Sequence, residues 1–340
     1  MPCSPLPVNN SVEMVATADN QLAALVILLV SSCGMMANWF ITLFIRRLKS
    51  LQNPFGWLTG AQAFVEAVHN SLFCLYFVPM VFFDISWMKS YSQYCGQTIL
   101  ICYDLTVFLH LLISLNRMCA IFFPLRYNKI FSYNHTMMAI VFVFVLEISS
   151  SIYFYDIQTC RLFYADDFYH FVFTTEPICL FIAWYTDFMR NVSIVIIIVT
   201  LDIVTVTKVH IARKTMSEMI TSETAKRRRD QEVNFLRQAC LQAIVFVLEL
   251  ITYFVLEPKF ENKWMKFFLT TVAWVGVHCI DGFITILFNR EFRVLIPCLK
   301  GITTIGPTET LFTTSSSRMH FNQRADSRGR PPTTAEIYGA

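Results

Sequence analysis

The chain has 340 residues, of which 55 % are hydrophobic and 15 % charged, and its mean hydropathy is +0.50. Soluble domains carry about 25 % charged residues, so this composition argues against a soluble protein and favours a polytopic membrane protein. The formal net charge of +3 is too small to indicate a nucleic-acid partner.

Seven apolar stretches are long enough to cross a bilayer, whose core of about 30 Å needs roughly 20 helical residues. They cover residues 21–45, 55–83, 96–123, 136–155, 179–207, 238–256 and 267–288. No internal repeat is visible, so a transporter built from two similar halves gains no support. The sequence therefore predicts an all-α protein, a bundle of seven transmembrane helices.

The distribution of lysine and arginine predicts the direction of the bundle, because cytoplasmic segments are enriched in both. The N-terminal tail and the second, fourth and sixth connections hold 5 of these residues. The other three connections and the C-terminal tail hold 21, with Arg117 counted among them, and Arg190 lies inside a span. We expect the N-terminus outside and the C-terminus inside. The predicted parts are an extracellular tail (1–20), the bundle with an interfacial helix (21–300) and a disordered, Ser/Thr-rich cytoplasmic tail (301–340).

Cysteines and one sequon fit this direction. Cys95, at the outer end of the third span, and Cys160, in the loop after the fourth, both face the oxidising side. We predict a disulfide between them that ties the loop to the helix end. Asn9 begins an Asn-Asn-Ser glycosylation sequon in the outer tail.

The third span ends in a recognisable pattern. The run Leu115-Asn116-Arg117-Met118, followed by Pro124-Leu125-Arg126-Tyr127, resembles the acid-Arg-aromatic motif and second inner loop of rhodopsin-like G-protein-coupled receptors. Five further runs look like those of nematode serpentine chemoreceptors of class X: Asn53-Pro54-Phe55-Gly56 and residues 113–117, 234–240, 278–282 and 288–293. The resemblance covers about residues 22–300.

This resemblance implies a nematode chemosensory receptor in the plasma membrane, with the ciliary membrane of sensory neurons as the expected location. It also implies a small environmental molecule as ligand and a heterotrimeric G protein as partner, with no cofactor and no enzymatic activity. The segment 290–299 mixes basic and apolar residues, as a short amphipathic eighth helix would, and Cys298 is a candidate for palmitoylation. The basic run 226–229 would attract anionic membrane lipid.

By the same resemblance, the G-protein-coupling end contains Arg117, Asn116, Pro124 and Tyr127. The five donors and permanent charge of Arg117 suit it to cap the carbonyl end of an inserted G-protein helix; the alternative is a snorkelling arginine. Asn116 stands where an acid would hold the arginine. Any inactive-state lock must therefore use another group, for which Asp230 and Glu232 are candidates.

Seven acids lie within the spans against one base, Arg190: Glu66, Asp104, Glu147, Asp187, Asp202, Glu249 and Asp281. Such groups usually face the bundle interior. Glu66 and Asp281 lie where rhodopsin-like receptors hold a buried sodium ion and water, and Asn38 and Thr106 are expected neighbours. We predict a polar activation core there, with a monovalent cation near the two acids; the alternative is scattered, protonated packing acids.

The outer half of the bundle holds the predicted ligand pocket, with Asp104, Asp187 and Arg190 as candidates. Asp104 could pair with a cationic ligand. Asp187 and Arg190 are three residues apart on one helical face, and so could simply neutralise each other.

The sequence also bears on three other functional classes: enzymes, retinal pigments, and transporters or channels. No metalloprotease, phosphate-loop or nucleophile-elbow motif is present, and the seventh span has no lysine for a retinal Schiff base. A cation-coupled transporter or ligand-gated channel that uses the buried acids remains the alternative to a receptor.

Overall fold

The computed structural model describes residues 10–216 and 223–296, with side chains for 18–211, 233–289 and 291–296. Seven helices in this part are long and apolar enough to cross a membrane. We number them α1 to α7: Ala18–Arg47, Pro54–Phe82, Ser92–Phe122, Tyr133–Ile157, Pro177–Ile211, Val233–Lys259 and Lys263–Phe288. Helical backbone continues α1 back to Asn10, α5 on to Met216 and α6 back to Glu223. The predicted seven-helix bundle is confirmed.

Side chains just before three helices set where those helices begin. Asn53 accepts a hydrogen bond from the Gly56 amide at 3.0 Å, and Pro54 follows at the first helical position of α2. Ser132 caps α4 in the same way, and Asn262 caps α7. Each side chain satisfies an amide that a helix leaves without an internal partner.

Five helices contain a π-helical turn in the half that leads away from Arg117. These turns are Phe73–Phe77, Ile152–Ile157, Ala183–Met189, Ile251–Leu256 and Phe268–Val272. In α2 the turn is followed by Pro79, which has no amide hydrogen and clashes with a regular α-helical ladder. π turns often occur at functional sites, so this half of the bundle has the more irregular backbone.

A two-stranded hairpin covers that half. Strand β1, Leu162–Ala165, pairs antiparallel with β2, His170–Phe173. The ring of Phe171 lies 6.3 Å from that of Phe73 and 6.1 Å from that of Phe77, both on α2. We call this side of the molecule the hairpin end, and the opposite side the Arg117 end.

Contacts with α1, α3 and α7 hold the hairpin in place. A methyl group at Gly96 of α3 would lie 2.4 Å from the carbonyl oxygen of Leu162, so only glycine lets β1 approach so closely. In the turn, Tyr169 donates to Asn20 of α1 at 2.9 Å, and its carbonyl accepts from Thr271 of α7 at 2.7 Å. Burial raises the pKa of Tyr169 to about 12, which keeps this donor protonated.

The disulfide differs from the predicted one. The structure joins Cys160 to Cys179, with Cα atoms 5.2 Å apart, whereas Cys95 is a buried free thiol in the apolar cluster at the hairpin end. The predicted Cys95–Cys160 bridge is therefore wrong. Sequence reasoning took Cys179 for an apolar residue of the fifth span, but it lies in the first turn of α5, within reach of Cys160.

Helix α3 is the centre of the bundle and contacts α2, α4, α5 and α6, whereas α1 packs against α2 and α7. Helix α4 is the most peripheral: 17 % of its most apolar segment is buried, against 67 % in α3. Most of α4 therefore faces lipid. Short helices, Ser86–Ser90 and Tyr127–Ile130, lie in two of the connections.

A six-residue helix, Arg290–Leu295, follows α7. Its Phe292 is fully buried and lies 5.8 Å from Phe40 of α1, ring to ring. The amphipathic eighth helix stays a prediction, because it was expected to extend to residue 299. Asn9, Cys298 and the tail 301–340 lie outside the described residues.

Candidate functional site

Arg117 is buried at the end of α3, with 2 % of its surface exposed. Its Nη2 donates to Oδ1 of the neighbouring Asn116 at 2.5 Å, and Nδ2 of Asn116 donates to the hydroxyl of Tyr127 at 3.0 Å. The amide thus connects the arginine to the loop that follows α3. The side chains of Asp230 and Glu232, predicted as alternative locks, lie outside the described residues.

Two phenylalanines cover the guanidinium. Its carbon lies 4.3 Å from the ring centroid of Phe55 in α2 and 5.4 Å from that of Phe235 in α6. The two rings stack on each other at 4.2 Å. A cation over aromatic faces is stabilised, the more so when it is desolvated. Sequence reasoning missed this contact, although both residues lie in runs that it had singled out.

The loop after α3 is exposed. Pro124 lies in a turn at the surface, and the neighbouring Leu125 is 99 % exposed. Of the four predicted coupling residues, the structure therefore brings Arg117, Asn116 and Tyr127 together and leaves Pro124 outside their hydrogen-bonded group.

Helices α6 and α7 are joined by buried amides at the same end. Asn289 donates to Gln238 at 2.9 Å, and Gln238 donates to the hydroxyl of Thr285 at 3.0 Å. Gln242 donates to the same hydroxyl at 3.4 Å. This connection was not anticipated, since isolated glutamines and threonines in apolar spans give no pairing signal.

Glu66 and Asp281 meet through one amide. Nε2 of Gln62 donates to Glu66 at 3.0 Å and to Asp281 at 2.8 Å. Both carboxyl groups are buried, at 2 % and 0 % exposure. Asp281 is also hydrogen-bonded to Gln242. Two buried carboxylates whose donors are neutral amides cannot both be ionised without a compensating cation or proton.

Asn38 and Thr106 occupy different surroundings. Asn38 donates to the carbonyl of His278 at 2.9 Å and lies against Gly282, so it borders this group from α1. The hydroxyl of Thr106 donates to the carbonyl of Cys102, within its own helix, at 2.9 Å. The structure therefore places Asn38, Glu66 and Asp281 around one interface of α1, α2 and α7, while the hydrogen bond of Thr106 stays within α3.

Two histidines lie one turn from the acids, on α2 and α7. His69 and His278 are fully buried, and their ring centroids are 4.0 Å apart. Neither ring has a hydrogen-bond partner among the described residues. Each histidine is three residues from one of the two acids and so lies on the same helix face. This spacing could have predicted that the histidines meet where the acids do.

Arg190 has partners on two other helices. It forms ion pairs with Asp104 of α3 and, at 3.2 Å, with Glu147 of α4. Asp187 is not among these ion-pair partners, although the charge of Arg190 also acts on it, and Asp104 has its cation within the protein. Helical spacing predicted contact along α5, whereas the guanidinium points across to α3 and α4.

Comparison with known proteins identifies the family. The family described as "Serpentine type 7TM GPCR chemoreceptor Srx" matches residues 28–289. The chain belongs to the serpentine receptor class X. It is 33 % identical to Serpentine receptor class X 45 of Caenorhabditis elegans over 297 residues, which cover 82 % of each chain. Serpentine receptor class X-43 of the same organism is 26 % identical over 287 residues, or 82 % of this chain and 87 % of that one.

The fold of this class X receptor is that of a solved photoreceptor. Squid rhodopsin superposes with a TM-score of 0.66 over 86 % of both chains, at 13 % sequence identity. That likeness concerns the fold. The protein is thus a multi-pass plasma-membrane receptor of the G-protein-coupled, chemosensory type, a family of receptors and not of enzymes.

Proposed function

We propose that this receptor binds a small environmental molecule in the hairpin half and passes the signal to a heterotrimeric G protein at the Arg117 end. The observation that carries the proposal is the enclosure of Arg117 by groups from α2, α3 and α6. A permanent charge is costly to bury without compensating contacts, and here those contacts come from three helices, so a change in their spacing would expose the guanidinium.

The cover suggests how coupling would work. Phe235 belongs to α6, so an outward movement of α6 would remove one of the two rings over the guanidinium. The freed donors would then cap the carbonyl end of a G-protein helix. The exposed Leu125, on the loop after α3, would offer the same G-protein helix an apolar contact.

We also propose that Glu66 and Asp281 share a proton or a monovalent cation in the resting receptor. Their common donor, Gln62, supplies no charge, and both acids are buried. A change in spacing between α2 and α7 would then alter how strongly the cation is held. The proposed receptor function also includes membrane lipid around the bundle and a location in the membrane of sensory cilia.

The test expresses the receptor with a promiscuous Gα subunit and follows intracellular calcium across a panel of water-soluble and volatile chemicals. Arg117→Ala should abolish any response while surface expression stays normal. Arg46→Ala, which removes an exposed arginine at the same end, is the matched control and should respond normally. A cation current that persists with G proteins blocked would contradict coupling and support a channel or transporter.

A further inference from the structure

The hairpin half carries more negative than positive charge inside the bundle. Arg190 is paired there with Asp104 and Glu147, whereas Lys259, Lys263 and Lys266 lie at the ends of α6 and α7, where Lys266 pairs with Glu257 and Lys263 covers Tyr169. Two more acids, Asp187 and Glu249, lie on α5 and α6, which pack together here through the rings of Phe188 and Phe254, 4.3 Å apart. The protein itself therefore supplies too little positive charge for these four carboxyl groups.

Only neutral donors reach the last two acids in the described structure. Asp187 accepts from Nδ2 of Asn191 at 3.4 Å, and the same nitrogen donates to Asp104 at 3.0 Å. Glu249 accepts from the hydroxyl of Tyr103 at 3.0 Å. Buried carboxylates are stable when they are paired with a cation. Glu249 is buried with no ion pair among the described residues, and Asp187, which is partly buried, must share the charge of Arg190 with Asp104 and Glu147.

Two buried polar side chains in this half have atoms with no hydrogen-bond partner among the described residues. Asn191 is fully buried and lies between two carboxylates, yet its Oδ1 accepts no hydrogen bond from the described residues. His278, also fully buried and unpartnered there, lies 6.0 Å from the ring of Tyr103. A ligand that brings both positive charge and N–H groups would satisfy this site.

Aromatic rings surround the same region. Tyr103 lies 6.0 Å from Trp274 and 6.3 Å from Phe246, and Phe188 lies 4.3 Å from Phe254. Aromatic faces attract cations and bury an apolar body. The π-helical turns of α5 and α6 lie at or next to Asp187 and Glu249, as is common at functional sites.

We propose that the molecule detected by this receptor is a protonated amine. Its ammonium group binds between Asp187 and Glu249 and donates a hydrogen bond to Oδ1 of Asn191, while its apolar body packs against the aromatic rings. Asp104 is not part of this charge site, because Arg190 already neutralises it. The inference names the ligand class within the proposed function and rests on it.

The experiment measures thermal unfolding of the purified receptor in lipid nanodiscs. The probes are 2-phenylethylamine and cyclohexylamine, compared with 2-phenylethanol and cyclohexanol at the same millimolar concentration. The amines should raise the Tm and the alcohols, equal in shape but uncharged, should not. Asp187→Asn and Glu249→Gln should each weaken amine binding about tenfold or more, because each leaves the ammonium with one carboxylate.

Asp202→Asn is the matched control. Asp202 is a buried acid on the same helix as Asp187 but is not hydrogen-bonded to this cluster, so its variant should bind the amines as the wild type does. Equal shifts from amines and alcohols, no shift from the amines, or amine shifts unchanged in Asp187→Asn and Glu249→Gln would overturn the proposal. The readout needs no G protein. Loss of amine binding with Arg117-dependent signalling intact rejects only the ligand class, and amine binding without signalling rejects only the coupling.

Discussion

Asn116 stands where the acid-Arg-aromatic motif has an acid, but its side chain is a neutral amide. As an amide it both accepts from Arg117 and donates to Tyr127, which a carboxylate cannot do. Arg117 therefore donates a hydrogen bond to an amide oxygen where a carboxylate would stand, and two aromatic faces cover it. A hydrogen bond from a guanidinium to a neutral amide is weaker than one to a carboxylate, so this contact should break more easily than an ion pair at the same position.

Replacing Asn116 by aspartate tests this reasoning. Asn116→Asp adds an ion pair to Arg117 and should stabilise the resting state by about 1 kcal/mol, which corresponds to a roughly fivefold lower basal nucleotide exchange. Basal GTPγS binding in membranes measures it. Tyr127→Phe is the companion variant: it removes one hydroxyl bond and should raise basal exchange. Higher basal exchange in Asn116→Asp would contradict the inference that Asn116 holds Arg117 in the resting state.

At the scale of the helices, α7 depends on a close approach to α1. Gly282 follows Asp281, where rhodopsin-like receptors usually carry proline. A methyl group at this position would lie 2.7 Å from Oδ1 of Asn38, whose Nδ2 bonds to the carbonyl of His278. Only glycine leaves room for Asn38 of α1 at this position. The glycine therefore sets the distance between α1 and α7 beside Asp281.

Gly282→Ala should therefore destabilise the receptor by about 1–3 kcal/mol, because Asn38 must move and lose its bond. Thermal unfolding of the purified receptor measures the change. Gly276→Ala, on the same helix, has no heavy atom within 4 Å of the added methyl group. That control should be neutral or more stable by about 0.5–1 kcal/mol, as alanine is the better helix former. Equal effects at both glycines would refute the contact.

At the scale of the whole molecule, the two ends are built differently. The hairpin end is closed by a hairpin, a disulfide and an apolar cluster, and its helices carry the π turns. The Arg117 end is held by side-chain bonds between α3, α6 and α7 and the loop after α3. The end with the more irregular backbone suits ligand entry, and the end held by separable polar contacts suits a partner that moves helices apart.

The direction of the molecule in the membrane is the prediction at this scale. The excess of lysine and arginine on one side predicts that the N-terminus lies outside, and Asn9 should then be glycosylated in cells. Treatment with a glycosidase should increase gel mobility of the wild type and leave Asn9→Gln unchanged. Asn134→Gln, at a sequon predicted to lie inside, should still shift. A glycan that persists in Asn9→Gln would place another sequon outside and reverse the assignment.

The sequence by itself determined the seven spans, the family and the position of Arg117. Span length and hydrophobicity are local properties, and a short motif marks a residue wherever the helices later pack. The sequence therefore also located the acids of the membrane interior and the runs that contain Phe55 and Phe235.

Only the tertiary structure decided which of these residues meet. Cys160 pairs with Cys179 and not with Cys95, Arg190 pairs with α3 and α4 and not along α5, and the two phenylalanines converge on Arg117. Each pairing depends on how helices rotate about their axes and how closely they approach, and a few small residues such as Gly96 set those distances. Apolar spans of similar composition do not encode that rotation locally, because lipid-facing and buried positions carry the same residue types.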